Sequence, residues 1–154
     1  MEEMAIIEAE DGARELSIKG NTVYDKIMSQ VIDYGFCSTF STDDRAGQKK
    51  LYKARNASFL LRDYMETPLE IVDAAWAPSE VTDDDGEIKT VMAVYLIDVE
   101  GNTYLSTSNG VCSSAAELFN MSGELESFGE EPITVVCRET NTAKGRRYKY
   151  LDVE

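Results

Sequence analysis

From residue 68 onward, turn residues divide the chain into short apolar runs, and this division constrains the fold more than any other feature of the sequence. The runs are rich in β-branched and aromatic residues, and each is bounded by proline, glycine, or acidic and amide residues. One further run, residues 113–121, has instead the alanine, leucine and glutamate content of a helix, with Gly123 just beyond it. The predicted strands are residues 68–77, ended by Pro78, and residues 88–99, 103–108, 132–139 and 146–153.

These elements follow the order strand, strand, strand, helix, strand, strand. An OB-type fold, a five-stranded antiparallel barrel, has this order, and other small barrels and α+β sheets share it. We therefore predict a mainly β protein with some α-helix, built on an OB-like five-stranded barrel. In such a barrel, strands two and three and the loops between strands one and two and between strands four and five contact oligonucleotides. Those two loops correspond to residues 78–87 and 140–146.

The first part of the chain predicts a helical N-terminal extension. Thr22 and Asp25 have the spacing of a helix N-cap followed by an acid, and apolar residues then recur on one face until Gly35. We expect an amphipathic helix over residues 22–34. Residues 47–65 favour two short helices or, alternatively, a helix followed by a strand.

Two divisions of the chain are compatible with this pattern. The first is an extension over residues 1–55 followed by a barrel domain over residues 56–154. The second is one compact domain overall, since 154 residues are within the size of a single domain.

Composition narrows the class of protein. Apolar residues make up 43% of the chain and charged residues 29%, which is typical of a soluble globular protein. The acidic first twenty residues are unlike a secretion signal, and no apolar run reaches the ~20 residues of a membrane-spanning helix, so we expect a cytoplasmic protein. The three widely spaced cysteines indicate reduced, mostly buried thiols. Histidine, the commonest general base and metal ligand, is absent, and we expect no enzyme activity, cofactor or metal.

Charge is unevenly distributed along this acidic chain. The formal net charge is −14, yet residues 47–62 contain five cations and no acid, and residues 138–150 contain five cations and one acid. These two segments carry +5 and +4, so the rest of the chain carries −23. A basic surface on an acidic body is typical of a protein that contacts a phosphate backbone. The alternative for the last strand is that its cations only protect a sheet edge from aggregation.

Aromatic residues are candidate platforms, because unpaired bases stack on aromatic rings in single-strand binders. Tyr104 is the strongest of these candidates, since it shares a strand face with Ser106 and Ser108. For every ring the alternative is packing in the core. The candidate nucleic-acid-binding residues are Lys49, Lys50, Lys53, Arg55, Trp76, Tyr95, Tyr104, Lys144, Arg146, Arg147, Tyr148 and Lys149, with Tyr52 as a further candidate platform.

Alternation along the last strand separates its side chains into two sets. Tyr148 and Tyr150 are expected on one face, and Arg147 and Lys149 on the other with Leu151. If Leu151 points into the barrel, a bulge would be needed for Tyr148 to point inward as well. The cations could still reach a groove in that arrangement.

Five stretches in order carry a family resemblance: "LYKARNASFLLRDYMETPLEIVDA", "VYLIDVEGNTYLSTSNGV", "SSAAELF", "EEPITVVCRE" and "TAKGRRYKYL", over residues 51–151. In these the chain resembles small single-stranded-DNA-binding proteins of tailed bacteriophages, particularly those of Gram-positive hosts. The resemblance implies an OB-type domain that coats replication or recombination intermediates without sequence preference or catalysis, in the host cytoplasm. It matches residues 145–149 to the glycine-basic-aromatic end of the family pattern and Asn56 to its upstream asparagine. An acidic C-terminal tail, frequent among single-strand binders, is replaced here by acids near the N-terminus.

We therefore expect sequence-nonspecific binding of single-stranded DNA in phage DNA replication or recombination. The expected partners are single-stranded DNA, phage or host replication proteins and further copies of the chain, and no membrane. The alternative from another class is an acidic protein-interaction module, or a DNA mimic that inhibits a host nucleic-acid enzyme, which the −23 outside the basic segments supports. An enzyme of nucleic-acid metabolism would need a general base, a metal cluster or a phosphate loop that we do not find in the sequence.

Overall fold

The order strand, strand, strand, helix, strand, strand is present in the computed structural model, which describes residues 7–8, 13, 15–16, 20–56, 59–141, 143, 145 and 147–154. Short elements from the N-terminal part precede it. The elements of the described chain are β1 Ile7–Glu8, α1 Val23–Tyr34, β2 Cys37–Ser38, α2 Arg45–Arg55, β3 Phe59–Leu60, a 3₁₀ turn Leu61–Tyr64, β4 Leu69–Thr82, β5 Ile88–Asp98, β6 Thr103–Ser106, α3 Asn109–Leu118, β7 Ile133–Asn141 and β8 Arg147–Val153.

The described strands form one curled, mixed sheet shaped like half a barrel. Its order is β3-β6-β5-β4-β7-β8, and β1 and β2 also pair with β4. Neighbours from β6 to β8 are antiparallel, whereas β1 with β4 and β3 with β6 are parallel. The prediction of a mainly β chain is confirmed. The expected count of five strands is exceeded, because three two-residue strands before residue 61 add to the sheet.

Pro78 does not end the first long strand, as the sequence suggested. β4 continues to Thr82 and pairs with β5 through Pro78, which lies opposite Met92. Proline lacks an amide donor and is tolerated in a strand where no ladder bond needs that donor. On the side of β4 away from β5, Pro78 falls between residues 75–76, which pair with β2, and residues 81–82, which pair with β1. Among the described residues, no strand therefore pairs with Pro78 on that side.

Helices cover both faces of the sheet. On the core face, α1 and α3 pack over the strands, and Met28, Trp76 and Val111 are completely buried between them. On the opposite face, which we call the outer face, α2 buries Ala54 against Ala77 and Tyr95. The sheet therefore separates two apolar layers.

A bulge in β4 decides which side chains belong to which layer. Its pairing with β5 shifts between Ile71, opposite Asp98, and Asp73, opposite Ile97. Residues two apart in a regular strand share a face, but Ile71 packs in the core with α1 and α3 while Asp73 contacts Lys50 of α2. The bulge thus exchanges the two faces partway along the strand.

The predicted amphipathic helix is confirmed as α1. Thr22 caps it by accepting a hydrogen bond from the Asp25 amide, and the Asp25 carboxylate accepts one from the Thr22 amide. Gly35 ends the helix at φ +87°, a conformation that glycine adopts without strain. Because α1 packs in the same core as α3, the N-terminal part contributes to the main core. The division of the chain at residue 56 stays a prediction.

The structure of residues 47–65 agrees in part with the two alternatives that the sequence offered. One helix, α2, is followed by the short strand β3 and a 3₁₀ turn, so features of both expected alternatives occur. β3 pairs with β6 in parallel, with Phe59 opposite Tyr104.

The helix expected at residues 113–121 begins earlier, as α3 at Asn109. Ser108 caps it, with its side chain accepting a hydrogen bond from the Val111 amide. The helix then runs along the free edge of β8, where the Leu151 amide donates to Ser114 Oγ at 2.9 Å. A β-carbon added to Gly110 would lie 2.0 Å from the Lys149 carbonyl oxygen. Glycine is therefore required where α3 approaches β8.

Replacing Gly110 with alanine should destabilise the protein. Alanine in place of glycine usually stabilises an exposed helix by about 1 kcal/mol, but here its methyl group would overlap backbone, and overpacking of this kind costs about 1–3 kcal/mol. Urea denaturation of Gly110→Ala would measure the change, with the exposed Glu117→Ala on the same helix as control. An unchanged or higher stability of Gly110→Ala would show that α3 and β8 separate easily.

Candidate nucleic-acid interface

The last two strands form a hairpin that extends beyond the rest of the sheet. β7 pairs with β4 only over residues 133–135, whereas its pairing with β8 continues from Val135, opposite Val153, to Asn141, opposite Arg147. The predicted loop over residues 140–146 is accordingly shorter, since β7 includes Asn141. The register has no shift, so the described pairing contains no bulge that would turn Tyr148 inward together with Leu151.

The expected alternation of side chains along β8 is confirmed. Leu151 is buried in the core, while Tyr148 and Tyr150 alternate to the opposite side of the strand from Leu151, and the Tyr148 ring lies next to Gly110 of α3. The two rings stack with their centroids 6.1 Å apart and their planes 15° apart. Tyr148 is 41% exposed and Tyr150 is half-buried, so the pair presents an aromatic surface to solvent.

The cations of the hairpin differ in how far they are neutralised. Arg147 is 71% exposed and lies 4.0 Å from the carboxylate of Glu139, the outer limit of an ion pair. Arg138 instead contacts two carboxylates, those of Asp152 at 2.9 Å and Glu66 at 2.6 Å. The hydrogen bond to Asp152 and the charge of Glu66 raise the pKa of Arg138. Arg138 is therefore committed to protein partners, and Arg147 remains available.

Three more candidates belong to this strand and its preceding loop. Lys149 is half-buried beside the N-terminal end of α3. Lys144 and Arg146 lie outside the described residues.

The basic helix α2 presents two of its cations to solvent. Lys49 and Lys53 are exposed and one helical turn apart, and within the described part of the chain no carboxylate lies within 4.0 Å of either ammonium group. Arg55 is half-buried near Tyr95, where burial raises the pKa of the tyrosine and the arginine charge opposes part of that rise. Lys49 and Lys53 are therefore the cations of α2 that are best placed for an anionic ligand.

Lys50 has a structural role that the sequence did not indicate. Its ammonium group forms an ion pair with Asp73, whose side chain is only 3% exposed, and lies 4.7 Å from the centre of the Phe40 ring. Asp73 also accepts a hydrogen bond of 2.6 Å from Thr39 Oγ1. This cluster attaches α2 to β4 at the bulge. The lysine is bound to a buried carboxylate and is not available to a phosphate.

Three of the candidate aromatic platforms are buried, which corrects the prediction for them. Trp76 is 0% exposed and donates from its indole nitrogen to the Cys112 carbonyl at 3.3 Å. Tyr95 lies under α2 at 1% exposure. Tyr104 is 6% exposed, because it belongs to the core and stacks on Phe59 of the paired strand β3. A base cannot stack on these rings while they are packed.

The basic helix α2 and the last strand β8 lie at different positions on the sheet. α2 lies over β4 and β5, whereas β8 is the far strand of the sheet, two positions beyond β4. Tyr52, the further candidate, is 56% exposed on α2. Tyr150 was not among the sequence-predicted site residues. Its spacing of two from Tyr148 in a strand was the available signal for a shared face.

The described residues also bear on three other features: a reactive cysteine, a metal site and a membrane-spanning helix. Cys37, Cys112 and Cys137 are buried thiols, as predicted, and burial raises the pKa of the Cys37 thiol to about 11. Among the described residues no group of three or more histidine, cysteine or acidic side chains could hold a metal ion. None of the described helices combines the length and apolar character that crossing a membrane requires.

Comparison with known proteins identifies the family. The family model described as phage single-stranded DNA-binding protein matches residues 30–154, which is most of the chain and includes α2, the long strands and the hairpin. The chain therefore belongs to the phage single-stranded DNA-binding protein family. This membership supports single-stranded DNA as a partner and fits a protein without catalytic activity. No curated protein and no solved structure matches the chain.

Removing the Lys50 ammonium should lower stability, because it leaves the buried Asp73 carboxylate without its counter-ion. An unpaired buried polar group costs about 1–3 kcal/mol, and the partial exposure of Lys50 keeps the loss within that range. Lys53→Ala is the matched control, since an exposed cation without an ion pair should change stability by less than about 0.5 kcal/mol. Thermal or urea unfolding of both variants would decide this. Equal stabilities would show that the ion pair does not hold α2 in place.

Proposed function

We propose that this chain binds single-stranded DNA without sequence preference and coats replication or recombination intermediates of a phage. The observation that carries the proposal is the stacked pair of the exposed Tyr148 and the half-buried Tyr150 on β8, next to the available charge of Arg147. Aromatic rings accept any base, since every base has a π-face, and cations accept the backbone. The family match supports the same partner.

An OB-type assignment is part of this proposal. In the sheet, the neighbours β6-β5-β4-β7-β8 are all antiparallel. In the chain these five strands occur in the order β4 to β8, and α3 lies between β6 and β7. OB folds are partly open five-stranded barrels in which the loop between the last two strands contacts oligonucleotides. Here that loop joins β7 to β8 and leads directly into Arg147 and Tyr148.

The position of α2 affects the path proposed for the DNA. In an OB barrel the second and third strands offer a binding face, but α2 buries the outer face of β5 at Tyr95. A strand of DNA would therefore run along the exposed side of α2, past Lys49 and Lys53, and over the hairpin. Phage or host replication proteins and further copies of the chain are proposed as additional partners on the same intermediates.

Salt should weaken binding in proportion to the number of phosphate contacts. For single strands, the logarithm of the association constant falls with the logarithm of salt concentration by about 0.7 per contact, so four contacts would give a slope near −3. Fluorescence-anisotropy titrations of labelled oligo(dT) at several salt concentrations would measure the slope. A salt-independent affinity, or duplex bound as tightly as single strand, would contradict the proposal. Absence of any binding would favour the acidic interaction module.

Tyr148→Ala should weaken oligo(dT) binding without unfolding the protein. Loss of one stacked base costs about 1–3 kcal/mol, which corresponds to roughly 5- to 150-fold in affinity. Tyr34→Ala is the matched control, because Tyr34 is a 75% exposed tyrosine that belongs to α1 and not to the hairpin. Thermal melts of both variants would confirm their fold. Equal affinities of the two variants would exclude Tyr148 as a platform.

A further inference from the structure

A cavity on the outer face lies between α2 and the turn that joins β5 to β6. Its volume is about 410 Å³, and it is open to solvent. Small-molecule sites in proteins commonly enclose about 300–1,000 Å³. The cavity is lined by Ala46, Lys49, Lys50, Lys53, Ala54, Ile97, Gly101 and Thr103.

The charge of this cavity comes from two side chains. Lys50 is paired with Asp73, as described above, so its charge is offset. Lys49 and Lys53 are exposed, and among the described side chains neither has an ion-pair partner. Two ammonium groups one helical turn apart suit a phosphate, which accepts hydrogen bonds on several oxygens.

The floor of the cavity has a different chemistry from its rim. Ile97 and Ala54 are 5% and 1% exposed and belong to the apolar layer under α2. At Gly101, whose φ is +85°, the space that a β-carbon would occupy has no other atom within 4 Å, so the turn leaves the cavity entrance open. A ligand that fits must therefore combine an anionic group with a flat or apolar part.

We propose that this cavity binds one nucleotide, with its phosphate between Lys49 and Lys53 and its base inside the cavity, above the apolar layer of Ile97 and Ala54 that closes the floor. The ligand is either one unit of the bound DNA strand, a case that rests on the proposed function, or a free nucleoside monophosphate. The cavity is distinct from the tyrosine pair of β8. It gives a second base site on the path proposed for the strand.

The test uses the full-length protein, labelled for methyl NMR, and three small probes: thymidine 5′-monophosphate, thymidine and inorganic phosphate. The monophosphate should shift the methyl signals of Ile97 and Ala54 more than either of the other probes, because only the monophosphate engages rim and floor together. Ala46→Trp should abolish these shifts by filling the cavity from an exposed position on α2 while keeping both lysines. The double variant Lys49→Ala with Lys53→Ala should abolish them by removing the charge. Lys26→Ala is the control, an exposed lysine on α1 on the other side of the sheet, and should retain them.

Oligo(dT) then distinguishes the two sources of the nucleotide. If the strand supplies it, oligo(dT) should produce the same methyl shifts, and the double lysine variant should flatten the salt slope by about 1.4 units, the value for two single-strand contacts. Shifts with the monophosphate but not with oligo(dT) would support the cavity as a site for free nucleotides. Monophosphate shifts that persist in Ala46→Trp, or no shifts with any probe, would overturn the proposal. If Tyr148→Ala loses oligo(dT) binding and the double lysine variant retains it, the proposed function holds and the cavity is not part of the DNA path.

Discussion

The structure depends on a strand that changes faces. β4 pairs with β7 on one side over residues 69–71 and with β5 on the other side over residues 71–82. The bulge between Ile71 and Asp73 lies where the pairing with β7 ends and the pairing with β5 begins. Before the bulge its inward residues enter the core beneath α1 and α3. After the bulge the residues of the same parity point to α2. One strand therefore supplies both apolar layers, and the sheet bends at this point, as bulged strands do.

One ion pair and one glycine hold the helices in position on the two faces of the sheet. Asp73, at the bulge, would be a costly buried carboxylate without Lys50 and Thr39, so the ion pair both satisfies it and attaches α2 to the outer face. On the core side, Gly110 lets α3 lie against the backbone of β8. The helix thus fills the edge where the half barrel is open and supports the strand that presents the tyrosine pair.

This arrangement explains how an acidic chain can offer a basic surface. Of the cations in the two basic segments, Lys50 and Arg138 are paired with carboxylates of the fold, while Lys49, Lys53 and Arg147 point to solvent with weak or no described partners. The exposed cations lie on α2 and the hairpin, with exposed tyrosines on both. The proposed interface is therefore smaller than the sequence segments that contain it, and it excludes the centre of the sheet.

The sequence by itself determined the elements that depend on local signals. Turn residues predicted the order of the strands, the Thr22–Asp25 cap and Gly35 predicted α1, and period-two alternation predicted which residues of β8 share a face. The matched stretches also indicated the family. Tertiary structure decided the rest, because burial depends on contacts between residues distant in the chain. Tyr104 is covered by Phe59 and Tyr95 by α2, and Lys50 is bound by a carboxylate 23 residues away. No local pattern distinguishes such side chains from their exposed neighbours Tyr148 and Lys53, since the difference lies in what packs over them.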